Sequence, residues 1–190
     1  MKIGVLALQG DFREHLEMLH SIGVNPVAVK SKETLDFIDG LIIPGGESTT
    51  IGKIMKEMNL FDELKKRIKD GLPVFGTCAG MIVLARNISG FPDQVRLGAI
   101  DITVERNSYG RQVESFETDI KIPVLGEKPF RAVFIRAPKV VEMGKEVEAL
   151  AYFKEDPVLL RQRNVLVCSF HPELTMDARI HRYFLEMVGG

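Results

Sequence analysis

Cysteine is scarce in this chain: Cys78 and Cys168 are the only two, too few for a disulfide framework. Met1-Lys2 leads directly into an apolar stretch without a signal-peptide pattern, so a cytoplasmic setting is expected. An excess of charge of one sign is also lacking. With 25 basic and 26 acidic residues and a net charge of -1, nothing electrostatic calls for nucleic acid or an anionic membrane as partner. No apolar run approaches the roughly 18 residues needed to cross a bilayer. Repeats, long linkers and low-complexity tracts are absent too. What remains suits one domain over residues 1–190 with a sizeable core, whose partners are small molecules or proteins.

The first half alternates strand and helix signals. Ile3 to Leu8 (IGVLAL) is a continuous apolar run, as in a strand buried on both faces of a parallel sheet. Gln9-Gly10-Asp11 ends it, and Phe12, Leu16, Leu19 and Ile22 follow at helical spacing. Further strands are predicted at Val27 to Val29 and Leu41 to Ile43, with a short helix at Leu35 to Ile38. Pro44 to Thr50 (PGGESTT) then occupies a strand end, where open parallel sheets place ligand loops. Ser48 or Thr49 is expected to cap a helix from about Ile51 to Met58, and Leu60 to Ile68 predicts another helix.

After residue 98 strands succeed strands: Ala99 to Val104, Ser115 to Ile122, Ala132 to Ile135, Val147 to Phe153, Val158 to Arg161 and Val165 to Phe170. Gln162-Arg163-Asn164 reads as a hairpin turn, and a helix from about Asp177 to Val188 closes the chain. The expected class is α/β: a mostly parallel central sheet with an antiparallel β extension in the second half.

One stretch carries reactive chemistry. Pro73 to Met81 (PVFGTCAGM) sets Cys78 between Gly76 and Gly80, after a buried strand and before a helix starting near Met81. A strained strand–turn–helix of this form thrusts a nucleophile out of the sheet and aims a helix N-terminus at it, which favours a thiolate. The alternative is a cysteine buried as a small hydrophobe. The glycine loop at 44–48 adds a second element, because a backbone N–H there, that of Gly46, can pair with the N–H of Ala79 as an oxyanion hole.

A third element is His171-Pro172-Glu173, directly after the strand that ends near Ser169. Proline disfavours helical geometry at His171, and in extended backbone residues two apart face the same side. His171 can then act as base and Glu173 can fix its tautomer, giving a Cys78, His171, Glu173 triad. His15, His20 and His181 lie on predicted helices away from the glycine loops and read as structural, with no metal-ligand spacing among them. Cys168, inside an apolar strand, reads as packing.

With these residues assembled, the sequence resembles the class I glutamine amidotransferases and, within them, the glutaminase subunits of pyridoxal 5'-phosphate synthases. The resemblance covers essentially the whole chain and is carried by Leu8-Gln9-Gly10 with Arg13-Glu14-His15, by PGGESTT at 44–50, FGTCAGM at 75–81, VERNSYGRQVESF at 104–116, FIRAP at 134–138 and SFHPELT at 169–175. Many relatives in the wider class have glutamine four residues after the nucleophile. Ile82 stands there in this chain, which suits the pyridoxal-phosphate branch.

The resemblance implies a three-layer fold with helices on both sheet faces, and hydrolysis of L-glutamine to glutamate and ammonia through a Cys78 thioester. It implies that glutamine is held by Gly46, Glu47, Ser48, Arg106, Ile135 and Arg136; on sequence alone the two arginines read rather as plain surface cations. It further implies a (β/α)8-barrel synthase subunit as ammonia acceptor in a heteromeric complex, with Gln9 and Gly10 sensing its docking. Pyridoxal phosphate is then the product of the complex, and neither cofactor nor metal is expected in this chain. Readings left beside this one are a glutaminase for another ammonia-using synthase, a cysteine hydrolase of the same fold, and a noncatalytic module that retains the fold.

Overall fold

The computed structural model describes residues 1–106 and 115–190, so positions 107–114 of the 104–116 motif lie outside the described residues. The first half forms strands β1 (Ile3–Leu6), β2 (Val27–Val29), β3 (Gly40–Ile43) and β4 (Val74–Thr77). Between and after them run helices α1 (Phe12–Ser21), α2 (Lys32–Leu35), α3 (Ser48–Glu57), α4 (Phe61–Lys69) and α5 (Ala79–Leu84). Strands β5 (Ala85–Ile88), β6 (Ile100–Glu105), β7 (Ser115–Ile120), β8 (Phe130–Ile135) and β9 (Lys139–Met143) follow. Then come β10 (Glu148–Phe153), β11 (Asp156–Gln162), β12 (Val165–Cys168) and helix α6 (Arg179–Gly189).

A seven-stranded sheet in the order β10-β11-β12-β4-β3-β1-β2 organises the molecule. Its β12, β4, β3, β1 and β2 are mutually parallel, and β11 and β10 add the antiparallel extension. Because side chains alternate across a strand, Leu41 and Ile43 enter the core on one face and Ile42 the other. The first core packs under α3, α4 and α5, and the second under α1, α6 and the β7–β8 hairpin. This is the α/β class the strand and helix alternation predicts.

Several details differ from expectation. Helix α2 ends where a helix was predicted to start, because it begins after Ser31, whose N–H donates to Thr34 Oγ1 at 3.4 Å. Helix α3 is capped by Glu47 rather than by Ser48 or Thr49: its extended backbone leaves the carboxylate accepting from Thr49 N–H at 3.1 Å and Thr50 N–H at 2.7 Å. Strands β5 and β9 were not predicted. They pair with β6 into a separate three-stranded sheet; β5 exposes Arg86 and Asn87 side by side, which leaves no period-2 signal to read.

The sheet also fixes where reactive side chains meet. Four adjacent parallel strands, β1, β3, β4 and β12, end at one rim, and the chain leaves them into Gln9-Gly10-Asp11, the 44–48 loop, Cys78 and the segment through His171. Residues more than ninety positions apart therefore share one edge.

Candidate active site

Cys78 sits between β4 and α5 with φ 50° and ψ -103°. For a residue with a Cβ this is a sparsely populated conformation, costing on the order of 1–3 kcal/mol, and it persists only where the surroundings over-determine it. Here they do: Cys78 N–H donates to Cys168 O at 2.9 Å, clamping the turn to β12. Gly80 lets the following helix press on the next strand, since a Cβ there would overlap the carbonyl of Ile43. The thiol, 7% exposed as a residue, points toward Ile135 O and donates to it at 3.7 Å.

His171 N–H donates to Val133 O at 2.8 Å, so β8 fixes the second partner. Its ring Nδ1 meets Glu173 Oε1 at 2.7 Å. The two are brought together differently from the expected extended geometry: Pro172–Leu174 form a 3₁₀ turn that folds the buried carboxylate under the ring. Burial alone would push His171 down, but hydrogen bonds and charge from Cys78 and Glu173 outweigh it, and the imidazole is raised to about 11. Burial pushes Glu173 up, with its bond to His171 pulling the other way. An imidazole between a thiol and a carboxylate is thus strongly disposed to hold a proton.

These groups open onto a cavity of about 440 Å³, within the range of small-molecule sites. Gly46, Glu47, Ser48, Ala79, Arg106, Ile135 and Arg136 all line it with Cys78 and His171, so every residue expected to hold substrate faces the same space. Glu173 stands behind His171, away from the cavity. Gln9 and Gly10 lie beneath the 44–48 loop: Glu47 N–H donates to Gln9 Oε1 at 2.8 Å. Gly10, at φ +90°, packs so closely on Gly45 that a side chain there would strike its carbonyl.

Arg106 is not a plain surface cation. Its Nη1 donates to Gln94 Oε1 at 2.8 Å, its Nη2 stands 3.7 Å from Glu47 Oε1, and its guanidinium lies 4.5 Å from the Phe91 ring centroid. Gln94 Nε2 in turn donates to the buried Ser48 at 2.8 Å. Partial burial works against ionisation of Glu47, yet the bonds from Thr50 and Thr49 hold its carboxyl below the usual range. A cation, a hydroxyl and an exposed carboxylate thus edge one side of the cavity, suited to the two charged ends of an amino acid.

Four residues beyond the expected set belong to this site. Gln94 and Phe91 brace Arg106 from the loop between β5 and β6, which carries no motif. Asp11 Oδ2 approaches His171 Nδ1 to 3.5 Å, its carboxyl raised by burial while the charge of His171 opposes. His15, expected to be merely structural, is fully buried with Nε2 3.5 Å from Glu173 Oε2. Asp11, His171 and Glu173 bring one ligand atom each within 4.8 Å of one another, the one such group among the described residues. Within it, the ring nitrogen of His171 meets Glu173 at 2.7 Å and Asp11 at 3.5 Å. Cys168 is fully buried, its thiol pushed well up by burial and by the neighbouring charges of Glu173 and Cys78.

A family model described as the SNO glutamine amidotransferase family matches residues 5–189. The pyridoxal 5'-phosphate synthase subunit PdxT of Thermotoga petrophila is 62% identical over 99% of this chain and 100% of its own length. The protein of the same description from Pelotomaculum thermopropionicum is 63% identical over 98% of this chain and 94% of its own length. A solved structure, described as a crystal structure of glutamine amidotransferase, superposes with a TM-score of 0.95 at 55% identity, covering 99% of each chain.

Proposed function

Since this chain belongs to the SNO glutamine amidotransferase family, we propose that the cavity at Cys78 is where it hydrolyses L-glutamine to glutamate and ammonia. The chain is the glutaminase side of pyridoxal 5'-phosphate synthesis and works with a synthase subunit. One observation carries the site assignment: the thiol and imidazole open into the same cavity as the braced Arg106.

In the proposed course, Arg106 takes the substrate carboxylate, Glu47, Ser48 and the backbone at Ile135-Arg136 hold the remaining polar groups, and the side-chain amide reaches Cys78. The sulfur adds to the amide carbon. The resulting oxyanion is met by the N–H groups of Ala79, in the first turn of α5, and of Gly46; one such donor is typically worth about 2.7–4 kcal/mol. Formation of the carbon–sulfur bond removes the thiolate charge that raises His171. The imidazolium becomes more acidic at the step where it must protonate departing ammonia. Water, deprotonated by the same imidazole, then cleaves the thioester and releases glutamate.

Ammonia at neutral pH is mostly protonated and non-nucleophilic, which favours direct transfer to the acceptor. We take that acceptor to be a (β/α)8-barrel synthase subunit, the whole chain of residues 1–190 to serve as one glutaminase domain, and the setting to be cytoplasmic. The Gln9–Glu47 bond and the Gly10–Gly45 contact support a role for Gln9 and Gly10 in relaying docking to the oxyanion loop. The test is a glutaminase assay of the chain alone and with the synthase subunit, following ammonia and pyridoxal phosphate together. Ammonia release should be low alone, rise on mixing, and be matched by product. Equal rates in both would remove docking control, and no ammonia in either would remove the function.

A further inference from the structure

Helix α1 and helix α6 each bury a histidine completely, and the two meet behind the proposed triad. His15 Nδ1 and His181 Nε2 are 2.9 Å apart. The other nitrogen of His15, Nε2, lies 3.1 Å from Thr77 Oγ1 and 3.5 Å from Glu173 Oε2. That carboxylate oxygen is buried and has no hydrogen bond of its own, as is His181 Nδ1.

These contacts select a tautomer. Burial holds both rings neutral, with the charges of His181 and His171 adding to the effect at His15, so each ring has one N–H and one lone pair. If His15 carried its hydrogen on Nδ1, its Nε2 lone pair would face the carboxylate oxygen, and His181 would be left with a buried N–H on Nδ1 without an acceptor. If both rings carry hydrogen on Nε2, His181 donates to His15, and His15 donates toward Thr77 and Glu173. Only an unprotonated nitrogen then goes unpaired, which costs less than a stranded donor.

We propose that His15, held in its Nε2–H tautomer by His181, is a positioning residue that presents a donor to the second oxygen of Glu173 and so aims the first at His171. At 3.5 Å the contact is long, but it lies in a buried site where electrostatic interactions are weakly screened. The other titratable groups facing Glu173 are His171 itself, Asp11 from the loop after β1, and Cys168 at the end of β12. None of them offers a donor to that oxygen. The inference rests on the reading of Cys78, His171 and Glu173 as the catalytic triad.

Two measurements test it. Nitrogen-15 NMR of the wild-type imidazoles should show His15 and His181 as neutral Nε2–H tautomers across neutral pH; an Nδ1–H tautomer at His15 overturns the proposal. In the complex with the synthase subunit, His15→Ala should lower kcat roughly tenfold with KM unchanged, a fraction of the 10²–10⁴ typical of acid–base catalysis. The alkaline limb of its kcat/KM profile should move down by about one pH unit, because a misaimed carboxylate raises His171 less. His15→Gln, which can carry an N–H to the same place, should recover most of the rate. A folded His15→Ala with wild-type rate and profile sinks the idea, as does His15→Gln behaving like Ala. Should His15→Ala fail to fold, the Gln variant and the tautomers decide. If the wild-type complex releases no more ammonia than Cys78→Ala, the triad reading fails, and the tautomer measurement judges the histidine pair separately.

Discussion

Two cysteines of similar burial are separated by their surroundings. Cys78 faces a cavity and an imidazole from a strained turn, whereas Cys168 donates to Phe170 O at 3.2 Å inside the sheet. Cys78→Ala should abolish ammonia release. Cys168→Ala should retain it while losing about 1–2 kcal/mol of stability, and a glutamine-like electrophile should label the first thiol only; labelling confined to Cys168 would reverse the assignment. Gln94 allows a sharper separation, since it touches Ser48 and Arg106 but not the triad. Gln94→Ala should raise KM for glutamine roughly tenfold, about 1.4 kcal/mol, with kcat unchanged. A fall in kcat at constant KM would contradict its place on the binding side. The residues of the proposed triad were legible as candidates in the sequence because each follows a strand, near glycine or proline. The places of Gln94, Asp11 and His15 beside it were not, because they come from tertiary contacts: a glutamine in an irregular loop, an aspartate that reads as a strand end, and a histidine whose motif marks the helix but not what its ring meets.

Among the elements, strands buried on both faces were legible as apolar runs, and β2 was located residue for residue. Those that escaped, β5 and β9, belong to a small sheet whose pairing partners are distant and whose faces are half solvated. The start of α3 was shifted because a side chain outside the usual capping set, Glu47, caps it, whereas α2 starts early behind an ordinary capping serine, Ser31. The joint between β4 and α5 is the most demanding element, because the helix that backs Cys78 lies directly on β3 at Gly80. Gly80→Ala forces a methyl into the backbone carbonyl of Ile43, which no side-chain rotation relieves. A loss of about 2 kcal/mol or more is expected in chemical unfolding, together with loss of glutaminase activity as the Cys78 turn shifts. An active Gly80→Ala of unchanged stability would show that α5 can withdraw from the sheet without moving the thiol.

At the scale of the whole molecule, the buried histidine pair ties stability to pH. His181 is lowered from its ordinary 6.5 to about 4 by burial, and His15 is lowered well below its ordinary value. Each joins a terminal region of the fold, α1 or α6, to the sheet at Phe75 and Thr77. Between pH 6.5 and 4 the unfolded chain takes up protons on both residues while the folded chain does not. The contribution of this pair therefore is fully present above about pH 6.5 and falls as pH drops through that window, by about 1.4 kcal/mol per pH unit for each histidine; His171, raised to about 11, acts the opposite way, its contribution being fully present below about pH 6.5 and lost as pH rises. For His181 alone the integrated loss is about 3 kcal/mol. Carboxylates held low, such as Asp177 beside Arg179, add to the loss only as pH falls below their ordinary range. Unfolding free energies from urea titrations at pH 6, 5.5, 5 and 4.5 should trace this decline, the pair supplying up to about two protons taken up on unfolding and the raised carboxyls of Asp11 and Glu173 reducing the net towards the acid end. His181→Asn should lower stability at pH 7, where a buried partner of His15 is lost, yet flatten the slope by about one proton. A variant with the wild-type slope would mean that His181 is protonated in the folded protein, and α1 and α6 would then have to be joined by a charged pair rather than by two neutral rings.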